Sequence, residues 1–271
     1  MAFVADLWLR ISNTHSANNM FSFLEDTLHK LQGKKIGLLS GDSGFYSEKI
    51  FNHLEERETP ISYIITVPLY APIHKKISQQ RVWLNLGDGI EIGETQYLGY
   101  NSSKARRIVM VRQRIQARPK ASGKQLRLFR DSDIYNSYRY HCFVTILELP
   151  AQQIWNLYKQ RGNAENRIKE LKYDFVFDSF NINNFYGTEA ELNMVMLDYN
   201  LMSLFRQSIL GSKVQYKLST LRYRLFAMDD YMIKEGNSRI LKLSLTMKRR
   251  EWFLGLWDKT SLFFLYVNLI T

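Results

Sequence analysis

Between Lys35 and Pro68 two short apolar runs, KIGLLS at 35–40 and ISYIITVP at 61–68, flank a helix-forming segment. Runs this short and continuously apolar suit strands buried on both faces. Ser47 stands at a helix-cap position, Glu48 and Lys49 fill the first turn, and Ile50, Phe51 and Leu54 give one apolar side up to about Glu58, before Pro60 ends the helix. Strand, helix and strand in this order predict a parallel crossover, so the chain is expected to fold as α/β.

The flanking segments extend this expectation. Phe3–Ile11 (FVADLWLRI) is rich in strand formers. Met20, Phe21, Phe23, Leu24, Leu28 and Leu31 make a helical stripe stopped at Gly33. From Leu69 to Pro150 the pattern changes to short strand-like pieces at 82–86, 90–94, 96–100, 107–115 and 138–147, with Gly87-Asp88-Gly89 as a turn. This predicts an antiparallel β-rich insertion. A long helix is expected from about Ala151 and another over about Glu189 to Ile209. The tail from Ser219 alternates basic and apolar residues and predicts a β-hairpin or mixed region with Trp252, Phe253 and Trp257 packing back. The expected segments are 1–68, 69–150, 151–210 and 211–271.

Composition narrows the function. The 271 residues include one cysteine, Cys142, which excludes an internal disulfide and a cysteine-rich zinc site. No basic-then-apolar leader stands at Met1, and the longest apolar runs, such as 262–267, fall short of the ~20 residues of a membrane span. A protein of a reducing compartment without a membrane partner is expected. Lys and Arg number 37 against 26 Asp and Glu, for a net charge of +11. Ten of those basic residues lie between Asn101 and Arg130, where no acid occurs. Such a localised strip suits a polyanion. Ile108 to Val111 would form the strand core that holds Arg107, Arg112 and Arg114 toward a phosphate backbone.

On the long helix Tyr158, Arg161, Glu165 and Lys172 are spaced Y-x2-R-x3-E-x6-K. At about 100° per residue they share one stripe over four turns, a carboxylate among cations. Leu157, Ala164, Ile168 and Leu171 fall on the neighbouring arc and would hold the helix against a sheet. Taken alone, Arg161 and Glu165 also suit an ordinary surface i,i+4 pair. Asp42 follows a buried strand, at the edge where open α/β sheets gather ligands. Taken alone it also suits a turn beside glycine.

GDSGFY at 41–46, the β-rich stretch after it and YKQRGNAENRIKELK at 158–172 together resemble the DDE transposases of bacterial insertion sequences, in the group defined by the Y-R-E-K helix signature. NTHSANN at 13–19 and LKLSLTMKRREWF at 241–253 extend the resemblance. It implies an RNase H-like α/β core interrupted by a β-rich insertion. It further implies a two-metal site for Mg2+, with Asp42 and Glu165 as the second and third acids of cleavage and joining of DNA strands. Tyr158, Arg161 and Lys172, with Lys169, would contact the DNA backbone near the transposon end, and Arg107, Arg112 and Arg114 would follow the DNA. Transposon ends and target DNA are the implied partners, a homodimer stays open, and the implied location is the bacterial cytoplasm at the nucleoid.

The family's first carboxylate lies on a strand upstream of the one expected at Phe3–Ile11. Asp6 falls mid-strand and is not promoted to a ligand. The core is therefore expected to be incomplete, its first strands missing, and the chain to bind DNA with little or no strand transfer. A nucleic-acid-binding protein without catalysis and a general two-metal nuclease are the alternatives. The five histidines show no paired ligand spacing.

Overall fold

The structure is a computed structural model that describes residues 3–10, 19–99, 102–115, 137–211, 216–245 and 247–268. The chain divides into two compact units, residues 11–164 and residues 1–10 with 165–271.

In the first unit, α1 (Met20–Lys30) leads to β1 (Leu39–Gly41), α2 (Glu48–Glu55) and β2 (Tyr63–Thr66). Strands β1 and β2 pair in parallel, Leu39 with Tyr63 and Gly41 with Ile65, so the expected crossover forms. Both strands are shorter than the apolar runs that carry them, and α2 stops before Glu58. Ser47 precedes α2 without a side-chain cap bond. Next come α3 (Ala71–Gln79), β3 (Leu84–Gly87), β4 (Ile90–Tyr97), β5 (Arg106–Arg114) and β6 (Tyr138–Thr145). The two pieces expected at 90–94 and 96–100 are thus one strand, β4, which pairs along its whole length with β5.

These strands form one six-stranded mixed sheet in the order β1-β2-β6-β5-β4-β3. The stretch expected to be an insertion supplies four of its strands, joined to β2 through β6. The reason lies in the alternation of buried residues. Ile108 and Met110 of β5, with Cys142 and Val144 of β6, join α1, α2 and α3 in one core. Val109, Val111 and Phe143 face the other way into a second core with Ile154. A strand apolar on both faces needs helices on both faces. Here α4 (Ala151–Lys159) covers the second face.

The second unit contains the rest of α5 (Gly162–Asp174), then α6 (Phe185–Phe205), which runs on as a π-helical turn over Arg206–Leu210. It continues with α7 (Leu218–Leu221), a second π turn at Arg222–Phe226, the hairpin β7 (Asp230–Glu235) and β8 (Ser238–Leu243), and α8 (Met247–Asn268). Leu221 and Leu225, which alternate like a strand in sequence, are helical and join Ile209 and Leu256 in a small core. Phe253 packs on that core, but Trp252 and Trp257 are exposed, contrary to expectation.

Residues 3–10 form no strand. Instead the Asn200 side chain on α6 accepts from the Val4 N–H at 2.8 Å and donates to the Val4 carbonyl at 2.9 Å. One amide thus satisfies both backbone groups that a neighbouring strand would otherwise pair. Among the described residues no helix is long and apolar enough to cross a membrane.

Candidate functional site

Asp42 follows the last residue of β1, where the chain turns through Ser43–Phe45. Its Oδ1 accepts the Gly44 N–H at 2.9 Å, so the turn-forming role open from sequence is real. Two glycines shape this corner. A Cβ at Gly41 would meet Phe45 at 3.1 Å, and one at Gly44 would meet Asp42 Oδ1 at 3.0 Å. The motif GDSG therefore keeps the carboxylate in place while leaving it outward, with a side chain 56% exposed.

The other oxygen, Oδ2, lies 3.6 Å from the Arg161 guanidinium. Arg161 is placed by a break in what the sequence presents as one long helix. Helix α4 ends at Lys159 and α5 begins at Gly162. Across the join, Arg161 donates its N–H to Tyr158, Asn163 to Gln160 and Ala164 to Arg161, each three residues back. Three residues per turn stack side chains i and i+3 above one another. Arg161 accordingly sits over the Tyr158 ring at 5.8 Å, with Nη1 3.4 Å from the hydroxyl. Gly162, a poor helix former, marks the break.

Tyr158 is fixed in turn. Its hydroxyl shares a 2.6 Å hydrogen bond with Thr66 Oγ1 at the end of β2, and its ring packs 4.2 Å from that of Phe143. Thr66, which sequence reasoning did not single out, anchors Tyr158, Tyr158 shelves Arg161, and Arg161 faces Asp42. A signal did exist, since Thr66 ends the strand that pairs with the one ending beside Asp42.

Because of the break, the calculated stripe does not run continuously from Tyr158 to Lys172. Glu165 lies in the first turn of α5 and is exposed, and Lys172 follows seven residues later on the same face. Asp42 belongs to the unit 11–164 and Glu165 to the other unit. Lys172 lies 3.6 Å from Asp178. Lys169 lines a cavity of about 470 Å³ together with Arg167, Tyr173 and Lys217. Leu157 and Leu171 are inward as expected, whereas Ala164 and Ile168 are exposed.

Four of the five described basic residues of the strip, Lys104, Arg106, Arg107 and Arg112, pair with carboxylates. Arg107 is held by Glu94 at 2.5 Å and by the carbonyls of Leu147 and Leu149 at 2.7 Å each. Arg112 pairs with Glu91 and lies between the rings of Trp83 and Tyr138. Arg114 is exposed. Arg106, one residue outside the expected strand, is buried. It donates to Glu55 at 2.7 Å, to Glu48 at 2.8 Å and to Asn52 at 2.8 Å. Lys104 and Tyr63 also donate to Glu55, each at 2.6 Å. Burial pushes the Glu55 carboxyl up, but these donors together outweigh it and hold its pKa below the ordinary value. The other five basic residues of the strip, Arg118 to Arg130, lie outside the described residues.

Carboxylate oxygens suit a hard cation such as magnesium. At Asp42 one oxygen is engaged by Gly44 and the other faces Arg161. Among the described residues no group of three or more His, Cys, Asp and Glu is placed to hold a metal ion. The donors fit such an ion in kind and, among the described residues, fall short in number. Cys142 offers no alternative nucleophile, since burial pushes its thiol up to about 12.

A family model for the transposase DDE domain, group 1, matches residues 3–261. Comparison with curated proteins finds no match.

Proposed function

Because the chain belongs to the transposase DDE domain family, group 1, we propose that it binds duplex DNA, with Asp42 and Glu165 as two of the carboxylates that hold the family's divalent metal, here magnesium. The observation that carries this reading is the Thr66-Tyr158-Arg161-Asp42 chain at the end of β1. It sets an arginine against an outward carboxylate, so a cation and an anion stand side by side where a phosphodiester and its counterion would meet. Arg161 contacts the DNA backbone, Tyr158 positions Arg161, and Lys169, Lys172 and Arg114 add phosphate contacts. Arg107 and Arg112 act mainly by stiffening the sheet. When bound, the metal would activate the attacking hydroxyl and stabilise the leaving oxygen. Transposon ends and target DNA are the substrates of this reading.

Two carboxylates match where the family uses three, so the chain on its own is expected to cut and join DNA weakly or not at all. Titration with Mn2+, followed by calorimetry, tests the metal assignment. Asp42→Asn and Glu165→Gln should each lower affinity by about tenfold or more. Affinity unchanged in both variants removes Asp42 and Glu165 from the metal site. Magnesium-dependent joining at a rate typical of complete sites would overturn the expected inactivity. A second reading, DNA binding without chemistry, is favoured by the Asp42–Arg161 contact, which already supplies the carboxylate with a cation. It predicts that both variants leave metal and DNA binding unchanged.

A further inference from the structure

The β7–β8 hairpin forms a two-stranded sheet of its own. Ten of its twelve strand residues are exposed, and only Ile233 and Leu243 are half-buried. A two-residue turn closes it at Gly236-Asn237, where Gly236 takes φ +60°. Such a ribbon is at best marginally stable in water when neither face is covered. It also places Lys234 directly opposite Arg239, and like charges in that register work against pairing. Among the described residues neither has an ion pair. Met232 and Leu241, both exposed, lie beside this pair on the same face.

We propose that the ribbon 230–243 seats in the major groove of duplex DNA, with Lys234 and Arg239 sharing backbone phosphates and Met232 and Leu241 against base edges. The proposal rests on the DNA-binding reading above and assigns a contact surface that the signature residues do not include. Three observations favour this occupant. A phosphate converts the repulsion between Lys234 and Arg239 into two charge-assisted contacts. Residues 216–250 carry nine basic residues against three acids, so the neighbourhood complements a polyanion. The major groove, about 12 Å wide, admits a two-stranded ribbon, and apolar side chains there can meet thymine methyl groups. A second copy of the chain is a poor occupant of this face, since two-fold pairing would bring Lys234 and Arg239 against their own equivalents.

The test uses the full chain and a labelled duplex, with binding followed by fluorescence anisotropy at several salt concentrations. K234Q/R239Q should make the slope of log affinity against log salt shallower by about 1.8 and weaken binding about 60-fold at 0.1 M salt. The substitution removes a repulsion, so thermal unfolding should be unchanged or later, which separates lost contacts from lost folding. An unchanged slope in a variant whose parent binds DNA overturns the ribbon assignment and leaves the transposase reading standing. A parent chain that binds no duplex overturns both. If M232S/L241S converts a dimer to a monomer in sedimentation without changing DNA binding, the ribbon covers a second copy and the assignment fails.

Discussion

Strand β5 and the β7–β8 ribbon both combine arginine or lysine with aliphatic side chains, and end in opposite surroundings. On β5 the aliphatic residues enter two cores, and Arg106, Arg107 and Arg112 each meet a carboxylate from α2 or β4. On the ribbon Met232, Ile240 and Leu241 stay exposed, and Lys234 faces Arg239. Glu91 and Glu94 lie outside the acid-free segment in sequence but within reach of Arg112 and Arg107 across the ladder. Charge counted along a chain therefore differs from charge presented by a surface. The first region buries or pairs its cations within a sheet, and the second leaves them exposed.

The sharpest way to break this contrast is Arg106→Ala. Removing a buried guanidinium strands Glu48 and Glu55, and urea unfolding of residues 11–164 should show a loss of about 3–5 kcal/mol. A loss under 1 kcal/mol would mean that the cluster is not a structural hub. Its pH dependence sharpens the same point. The folded pKa of Glu55 lies below its ordinary value of 4.5, so between the two values the unfolded chain binds more protons than the folded one. The stabilisation is complete above about pH 4.5 and fades as pH falls through the folded value. Melting curves of Glu55→Gln across about pH 3–6 should fall less steeply with acid than those of the parent.

A smaller effect is expected at the Asp42 corner. Tyr158→Phe loses the bond to Thr66 at a cost of about 1 kcal/mol and should weaken DNA binding through Arg161, which keeps the ring beneath it but loses the hydroxyl beside it. Thr66→Val should reproduce both changes. The smallest effect belongs to the ribbon. K234Q/R239Q should raise the stability of residues 165–271 by a few tenths of a kcal/mol, measurable by hydrogen exchange, opposite in sign to Arg106→Ala.

Much of the fold was legible locally. The crossover from β1 to β2 followed from two apolar runs and the helix-forming segment between them, and α1, α6 and the strands of 84–145 fell close to their expected places. The readings that failed share a cause. Residues 3–10 have strand-forming side chains but take their backbone partner from Asn200, 196 positions from Val4 in sequence. The helix from Ala151 keeps its apolar period through a break that only the i→i+3 bonding reveals. At the site, Asp42, Tyr158, Arg161 and the family they indicate were visible as motif text, whereas Thr66 was not.

The sequence by itself determined the α/β class, the carboxylate at a strand end and the signature residues, because periodicity and turn chemistry act over a few residues and leave their mark in adjacent letters. Tertiary structure alone decided that Arg161 meets Asp42, that Arg106 is buried among carboxylates and that Lys234 meets only Arg239 across its ladder. Those outcomes depend on which distant segment supplies the partner, and a charge or hydrogen-bonding group takes its role from the partner it finds on folding.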